Sequence, residues 1–183
     1  MNQLITVYLI GIAGVGKYSI AQEISKSGYK VVDNHLINNP IFSLIDWDGN
    51  RPIPTNAWAA IDRVREVIFD FIAADTHSNF VFTNELLEID HDREVYNKVK
   101  NLAEKRGSLF IPVRITVSPE VHANRITTQT RRERFKTTNV DHIKKHDRLI
   151  NIQHKNILHL DTTGLSAKQA ALNIMSFREI LSK

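Results

Sequence analysis

The chain has 183 residues, 42% apolar and 24% charged, which fits one compact domain and excludes disordered, collagenous and low-complexity classes. The absence of cysteine excludes disulfide frameworks, thiolate zinc sites and cysteine nucleophiles, while a net charge of +4 is compatible with anionic partners, either nucleic acid or phosphorylated small molecules. No run reaches the roughly 20 apolar residues of a membrane span, and Leu4 to Ile10 lacks the basic flank and length of a signal peptide, so a soluble, cytoplasmic protein without a membrane partner is expected.

Leu4-Ile5-Thr6-Val7-Tyr8-Leu9-Ile10 is a near-continuous β-prone run, the pattern of a strand buried on both faces. Ile20, Ala21 and Ile24 follow at helical spacing, and Gly28 serves as the stop. Further strands are expected at Tyr29 to Asp33, Phe80 to Thr83, Leu109 to Val117 and Ile157 to Asp161. Between them, Ile61, Val64, Ile68, Phe71 and Ile72 form one helical stripe, and Val95, Val99, Leu102 and Ala103 form another that ends at Gly107. Ser118-Pro119-Glu120 reads as an N-cap, a first-turn proline and a first-turn carboxylate. The last helix starts near Ser166 and buries Ala170, Ile174, Phe177 and Leu181. Alternating strands and helices predict an α/β fold, a parallel sheet covered by helices.

Two inserts interrupt the alternation. Residues 34–55, with Trp47, Asp48, Arg51, Pro52 and Pro54, read as a loop-rich excursion. Residues 125–155 carry Arg125, Arg131, Arg132, Arg134, Lys136, Lys144, Lys145 and Arg148 with few apolar anchors, and mobility is expected there.

Of seven glycines, three stand at Gly11, Gly14 and Gly16, between the first strand and its helix. Gly11-Ile12-Ala13-Gly14-Val15-Gly16-Lys17 matches the first seven positions of the phosphate-binding pattern G-x-x-x-x-G-K-[ST]. Glycines let the backbone curl until its N–H groups point at phosphate oxygens, the helix start adds its positive dipole end, and Lys17 adds a full charge. Gly11, Ala13, Gly14, Val15, Gly16, Lys17, Tyr18 and Ser19 are thus the expected nucleotide-binding residues. Tyr18 departs from the pattern, because a tyrosine oxygen lies too far from its own backbone to replace the Ser or Thr hydroxyl on Mg²⁺. Ser19 is better placed for the α-phosphate.

With Val31-Val32-Asp33-Asn34-His35-Leu36-Ile37 added to the loop and its helix, the chain resembles the small P-loop kinases: shikimate kinase, gluconate kinase, chloramphenicol phosphotransferase and the nucleoside monophosphate kinases. The resemblance spans most of the chain in layout. It implies one P-loop kinase-like domain over 1–183 with a five-stranded parallel sheet, residues 34–55 as an acceptor-binding excursion, and 125–155 as a lid. It also implies ATP and Mg²⁺ as cofactors and a small-molecule acceptor as partner. In shikimate kinases an Asp-x-Asp ends the second strand, the first carboxylate near the metal and the second on the acceptor. Asp33 matches the first, whereas His35 replaces the second, which argues against shikimate itself. The glycine-rich acceptor loop after the third strand is replaced by Thr83-Asn84-Glu85.

The expected catalytic residues are Lys17, Asp33, Arg125 and Arg131, the arginines as lid residues that neutralise the transferring phosphoryl group and exclude water. Asp33 ends a strand at the ligand crevice of an open sheet. It either orients a hydrated Mg²⁺ or accepts the acceptor's hydroxyl proton, with an N-cap of the following helix as the structural alternative. His35, Arg51, Asn84 and Glu85 are candidate acceptor contacts. The leading reading is a kinase that moves the γ-phosphate of ATP to a hydroxyl or phosphate of a small molecule. The alternatives are a nucleotide sensor without transfer, favoured by Tyr18, and a nucleic-acid-end kinase or binding protein, disfavoured by the lack of interleaved aromatics beyond Phe135 among the basic residues. His142 and His146 lie one helical turn apart without an evident third metal ligand.

Overall fold

A computed structural model describes residues 3–48, 51–127 and 136–181. In chain order the elements are β1 (Ile5–Ile10), α1 (Lys17–Ser25), β2 (Tyr29–Asp33), α2 (Asn34–Leu44), α3 (Thr55–Ala74), β3 (Asn79–Asn84), α4 (Asp90–Lys105), β4 (Leu109–Thr116), α5 (Pro119–Ile126), a 3-10 helix (Val140–Arg148), β5 (Leu158–Asp161) and α6 (Ala167–Leu181). The strands form a five-stranded sheet in the order β2-β3-β1-β4-β5, parallel at every junction. β1 lies at its centre, and all six of its residues are buried. That position explains why the run from Ile5 to Ile10 carries no alternating polar face.

The order of the strands also fixes where a ligand can sit. β1 and β3 are neighbours, yet the chain leaves β1 toward β2 on one side and leaves β3 across β1 toward β4 on the other. The loops at their carboxyl ends therefore part and leave a crevice, the usual ligand position in an open parallel sheet. Residues 11–16 follow β1 there, and Glu85 follows β3.

The strands expected from the sequence are all present, within a residue or so of their predicted ends. Ser118 is the N-cap of α5, its hydroxyl accepting from the Val121 N–H at 3.5 Å. Two segments differ from expectation. The first part of the 34–55 excursion is the helix α2, which contains Pro40. Pro40 removes one hydrogen bond, to the carbonyl of exposed Leu36 four residues back. Burial of Ile37 and Phe42 against Ile61 of α3 holds the helix regardless, with the Trp47 ring 4.3 Å from that of Phe42. The second difference lies in 125–155, where Leu149, Ile150 and Ile152 are buried in the main core. The Ile150 N–H donates to the Leu86 carbonyl at 3.1 Å, and the Glu88 N–H donates to the Arg148 carbonyl at 2.8 Å. Three apolar residues spread over four positions fasten residues 149–152 beside the end of β3. Among the described residues, no helix is long and apolar enough to cross a membrane.

Candidate active site

The phosphate loop turns tightly from β1 into α1, and two of its glycines are required by the backbone. Gly14 has φ +94°, and a β-carbon there would come within 2.8 Å of His122 Nε2. Gly16 has φ +102° as the N-cap residue of α1. Both lie in the left-handed region that other residues enter at a cost. The first N–H groups of α1 have no carbonyl partners within the helix, and Lys17, Tyr18 and Ser19 of its first turn line the adjoining cleft. Lys17 Nζ donates to the carbonyls of Gly11 and Ile12, the latter at 2.9 Å, so its ammonium folds back over the loop.

A cleft of about 700 Å³ opens along the loop and α1, lined by Gly16, Lys17, Tyr18, Ser19, Arg125 and Leu165, among others. Arg125, in the last turn of α5, braces it. One guanidinium nitrogen donates to Thr162 Oγ1 at 3.1 Å and to the Val15 carbonyl at 3.4 Å. Another donates to the carbonyls of Thr162 at 2.9 Å and Leu165 at 3.3 Å. The arginine thereby ties the loop to the segment between β5 and α6, a task its planar fork performs better than a lysine would.

On the other side of the loop, Asp33 ends β2 opposite Thr83 of β3. It occupies the N-cap position of α2, but its side chain makes no capping bond. Instead its carboxylate accepts from Thr83 Oγ1 at 2.6 Å and from Lys136 Nζ at 2.9 Å. Burial alone would raise the Asp33 carboxyl, yet the Lys136 charge and these two hydrogen bonds hold it below the ordinary value. His35, in the first turn of α2, responds in the opposite direction. Burial first, and the Lys136 charge second, push its imidazole down to about 4 against the pull of Asp33, so it is neutral at neutral pH. Asn84 is buried at the end of β3, where its carbonyl accepts from the Gly11 N–H at 3.2 Å. Glu85 Oε2 accepts from the Ala13 N–H at 2.8 Å, and its Oε1 lies 3.3 Å from Lys145 Nζ.

The structure thus gathers Lys17, Asp33, His35, Asn84, Glu85 and Arg125 around one loop. Arg51 is exposed and bonds within its own loop, to the Asp46 carbonyl and the Asp48 carboxylate. Arg131 and Arg134 lie outside the described residues.

Two contributors were not singled out from the sequence. His122 is fully buried, its Nε2 2.6 Å from the Ala13 carbonyl, and its ring meets that of His146 edge-on at 5.3 Å. Its signal was spacing, since His122 and Arg125 are three apart on one helix and share a face. Lys136 stood in the sequence only as one basic residue among many. In the fold it joins the two halves of the site, its ammonium 4.5 Å from the centre of the Tyr18 ring as well as on Asp33.

No family model matches the chain, and no curated protein matches it in sequence. Solved structures do match in fold. A gluconokinase from Sinorhizobium meliloti 1021 superposes with a TM-score of 0.66 at 14% identity, covering 100% of this chain and 95% of that one. A shikimate kinase from Acinetobacter baumannii, in complex with shikimate, gives 0.59 at 16% identity over 98% of this chain and 94% of that one. An APS kinase from Mycobacterium tuberculosis, in complex with AMPPNP and APS, gives 0.59 at 14% identity over 98% and 99%. The chain has the fold of the P-loop small-molecule kinases.

Proposed function

We propose that this chain is an ATP-dependent phosphotransferase that passes the γ-phosphate to a hydroxyl or phosphate of a small-molecule acceptor. The observation that carries the reading is the loop itself: Gly14 and Gly16 at positive φ, Lys17 and the start of α1 meet at the mouth of the cleft. That combination of N–H donors, helix dipole and ammonium is suited to phosphate. The kinases it resembles in fold include two solved with the small molecules shikimate and APS.

In this reading the backbone of Gly11 to Gly16, with Ala13 and Val15 between the glycines, wraps the β- and γ-phosphates. Lys17 leaves the Gly11 and Ile12 carbonyls to take phosphate oxygens. Ser19, exposed at the cleft, meets the α-phosphate, and Arg125 fixes the nucleotide side. The acceptor lies on the side of Asp33, His35, Asn84 and Glu85. The ionised Asp33 orients the acceptor hydroxyl, and neutral His35 can both donate and accept a hydrogen bond there. Arg131 and residues 125–155 act as the lid, and residues 34–55, with Arg51, border the acceptor side. Phosphoryl transfer asks the protein for positioning and charge more than for covalent chemistry, and these residues provide both.

A nucleotide sensor without transfer is the second reading, favoured by Tyr18 at the hydroxyl position. Acceptor-dependent ADP release, measured over a panel of sugars, polyols, nucleosides and nucleotides, separates the two. A kinase releases ADP faster with at least one acceptor. A sensor binds ATP and shows no acceptor dependence in any well.

A further inference from the structure

In the phosphate-loop pattern a Ser or Thr hydroxyl at the eighth position helps hold Mg²⁺. Here Tyr18 stands at that position and its aromatic ring faces an ammonium instead. The two carboxylates beside the loop each meet an ammonium as well, Asp33 that of Lys136 at 2.9 Å and Glu85 that of Lys145 at 3.3 Å. Among the described residues, no three His, Asp or Glu side chains gather into a metal-binding group. A nucleotide-bound Mg²⁺ needs only one or two protein donors, and here the eighth position offers a ring facing an ammonium while both nearby carboxylates are paired to ammonium groups, so the donors around this loop do not fit a divalent cation. What fits the same space is a cation of the chain. The Lys136 side chain is only 11% exposed, and the residue lines the cleft together with Gly16 and Lys17.

We propose that Lys136 takes the place of the divalent cation: its ammonium, seated over Tyr18 and against Asp33, meets the phosphates of a nucleotide in the loop, so that the chain binds a nucleoside triphosphate without a divalent ion. The inference rests on the nucleotide-binding reading above. An ammonium has three N–H donors and can serve a carboxylate and a phosphate oxygen together. The face of a tyrosine ring attracts such a cation, which gives Tyr18 a purpose that a hydroxyl would not serve. Tyr18 and Lys136 thus form one exchange, ring and ammonium for hydroxyl and metal. Lys145 offsets Glu85, which accepts from the Ala13 N–H of the loop, so neither carboxylate repels the incoming phosphates. An ammonium already in the metal's place supplies the charge that the ion would bring, so the site is expected to hold metal-free triphosphate at least as well as the metal complex, and by reciprocal linkage the bound nucleotide then gains no affinity for Mg²⁺ from the protein.

The test is calorimetric titration of the full chain with ATP and with GTP, once in EDTA and once in millimolar Mg²⁺. The wild-type protein is expected to bind the preferred nucleotide at least as tightly in EDTA as in Mg²⁺. Lys136→Met is expected to lose about tenfold or more in EDTA, the scale of one hydrogen bond to a charged group, and to recover part of that loss when Mg²⁺ is added. Thermal unfolding checks that the variant is folded, and Lys136→Gln replaces it if it is not. Tightening of the wild-type protein by about tenfold or more on adding Mg²⁺ would overturn the inference and leave the nucleotide reading standing, as would unchanged affinity of the variant in EDTA. No binding of either nucleotide in either medium would overturn both.

Discussion

Lys17 is held by the loop it serves, through the Gly11 and Ile12 carbonyls, and it supports no apolar core. Lys17→Ala should therefore keep the fold while weakening ATP binding roughly ten- to a hundredfold, the equivalent of about 1.5–3 kcal/mol for a hydrogen bond to a charged group. Calorimetric titration reads this directly, and unchanged affinity would remove the lysine from the phosphate site. His35 gives a prediction in pH. Its folded value is pushed down to about 4 from an ordinary 6.5, by burial first and by Lys136 next, so between those values the unfolded chain binds more protons than the folded one. Stability should fall as pH drops from 6.5 toward 4 and gain nothing further from this group above that range. His146 and His154, lowered mainly by burial, act in the same direction, so His35→Gln should flatten the decline in urea midpoint without abolishing it. An unaltered pH slope in that variant would show that His35 is not the buried neutral group described. Lys17 was legible because the loop pattern is local, with every residue within seven positions. Lys136 was not legible as a partner of Asp33, because 103 residues separate them and only the closed fold brings them together.

At the scale of elements, α5 matters most after the loop. It carries His122 beneath the loop and Arg125 beside it, and it starts at a Ser118 cap whose hydroxyl reaches the Val121 N–H at 3.5 Å. A bond of that length lies at the weak end, so Ser118→Ala should lower unfolding stability by about 0.5–1 kcal/mol. Urea denaturation should show a lower midpoint at unchanged slope, and an unmoved midpoint would mean that Pro119 and tertiary contacts alone fix the start of α5. This helix was legible from Ser118-Pro119-Glu120, as the strands were from their β-branched and aromatic runs. α2 entered only as the helix that Asp33 could cap, because Asp48, Pro52 and Pro54 give 34–55 a loop-like composition while the decisive contacts, Ile37 and Phe42 on Ile61, come from a helix later in the chain. The same cause hid the anchoring of Leu149, Ile150 and Ile152, whose partners lie beyond β3.

Across the whole molecule, the site follows from topology. The opposite departures from β1 and β3 open one crevice, and the loop after β1, the carboxylates at the end of β2 and just after β3, and the helix after β4 all border it. The α/β class and the loop that anchors the site follow from sequence periodicity and one motif. Which cations from 125–155 reach the site depends on how that segment folds back, which no local pattern encodes. The central claim is that nucleotide phosphates rest on residues 11–17. Its most direct test is a crystal structure of the chain with a nonhydrolysable ATP analogue at saturating concentration. The β- and γ-phosphates are expected within hydrogen-bond distance of the Gly14, Val15, Gly16 and Lys17 N–H groups and of Lys17 Nζ, with the rest of the nucleotide in the cleft beside Arg125 and Leu165. Nucleotide bound elsewhere, or a bare loop with Lys17 still on the Gly11 and Ile12 carbonyls, would contradict the account.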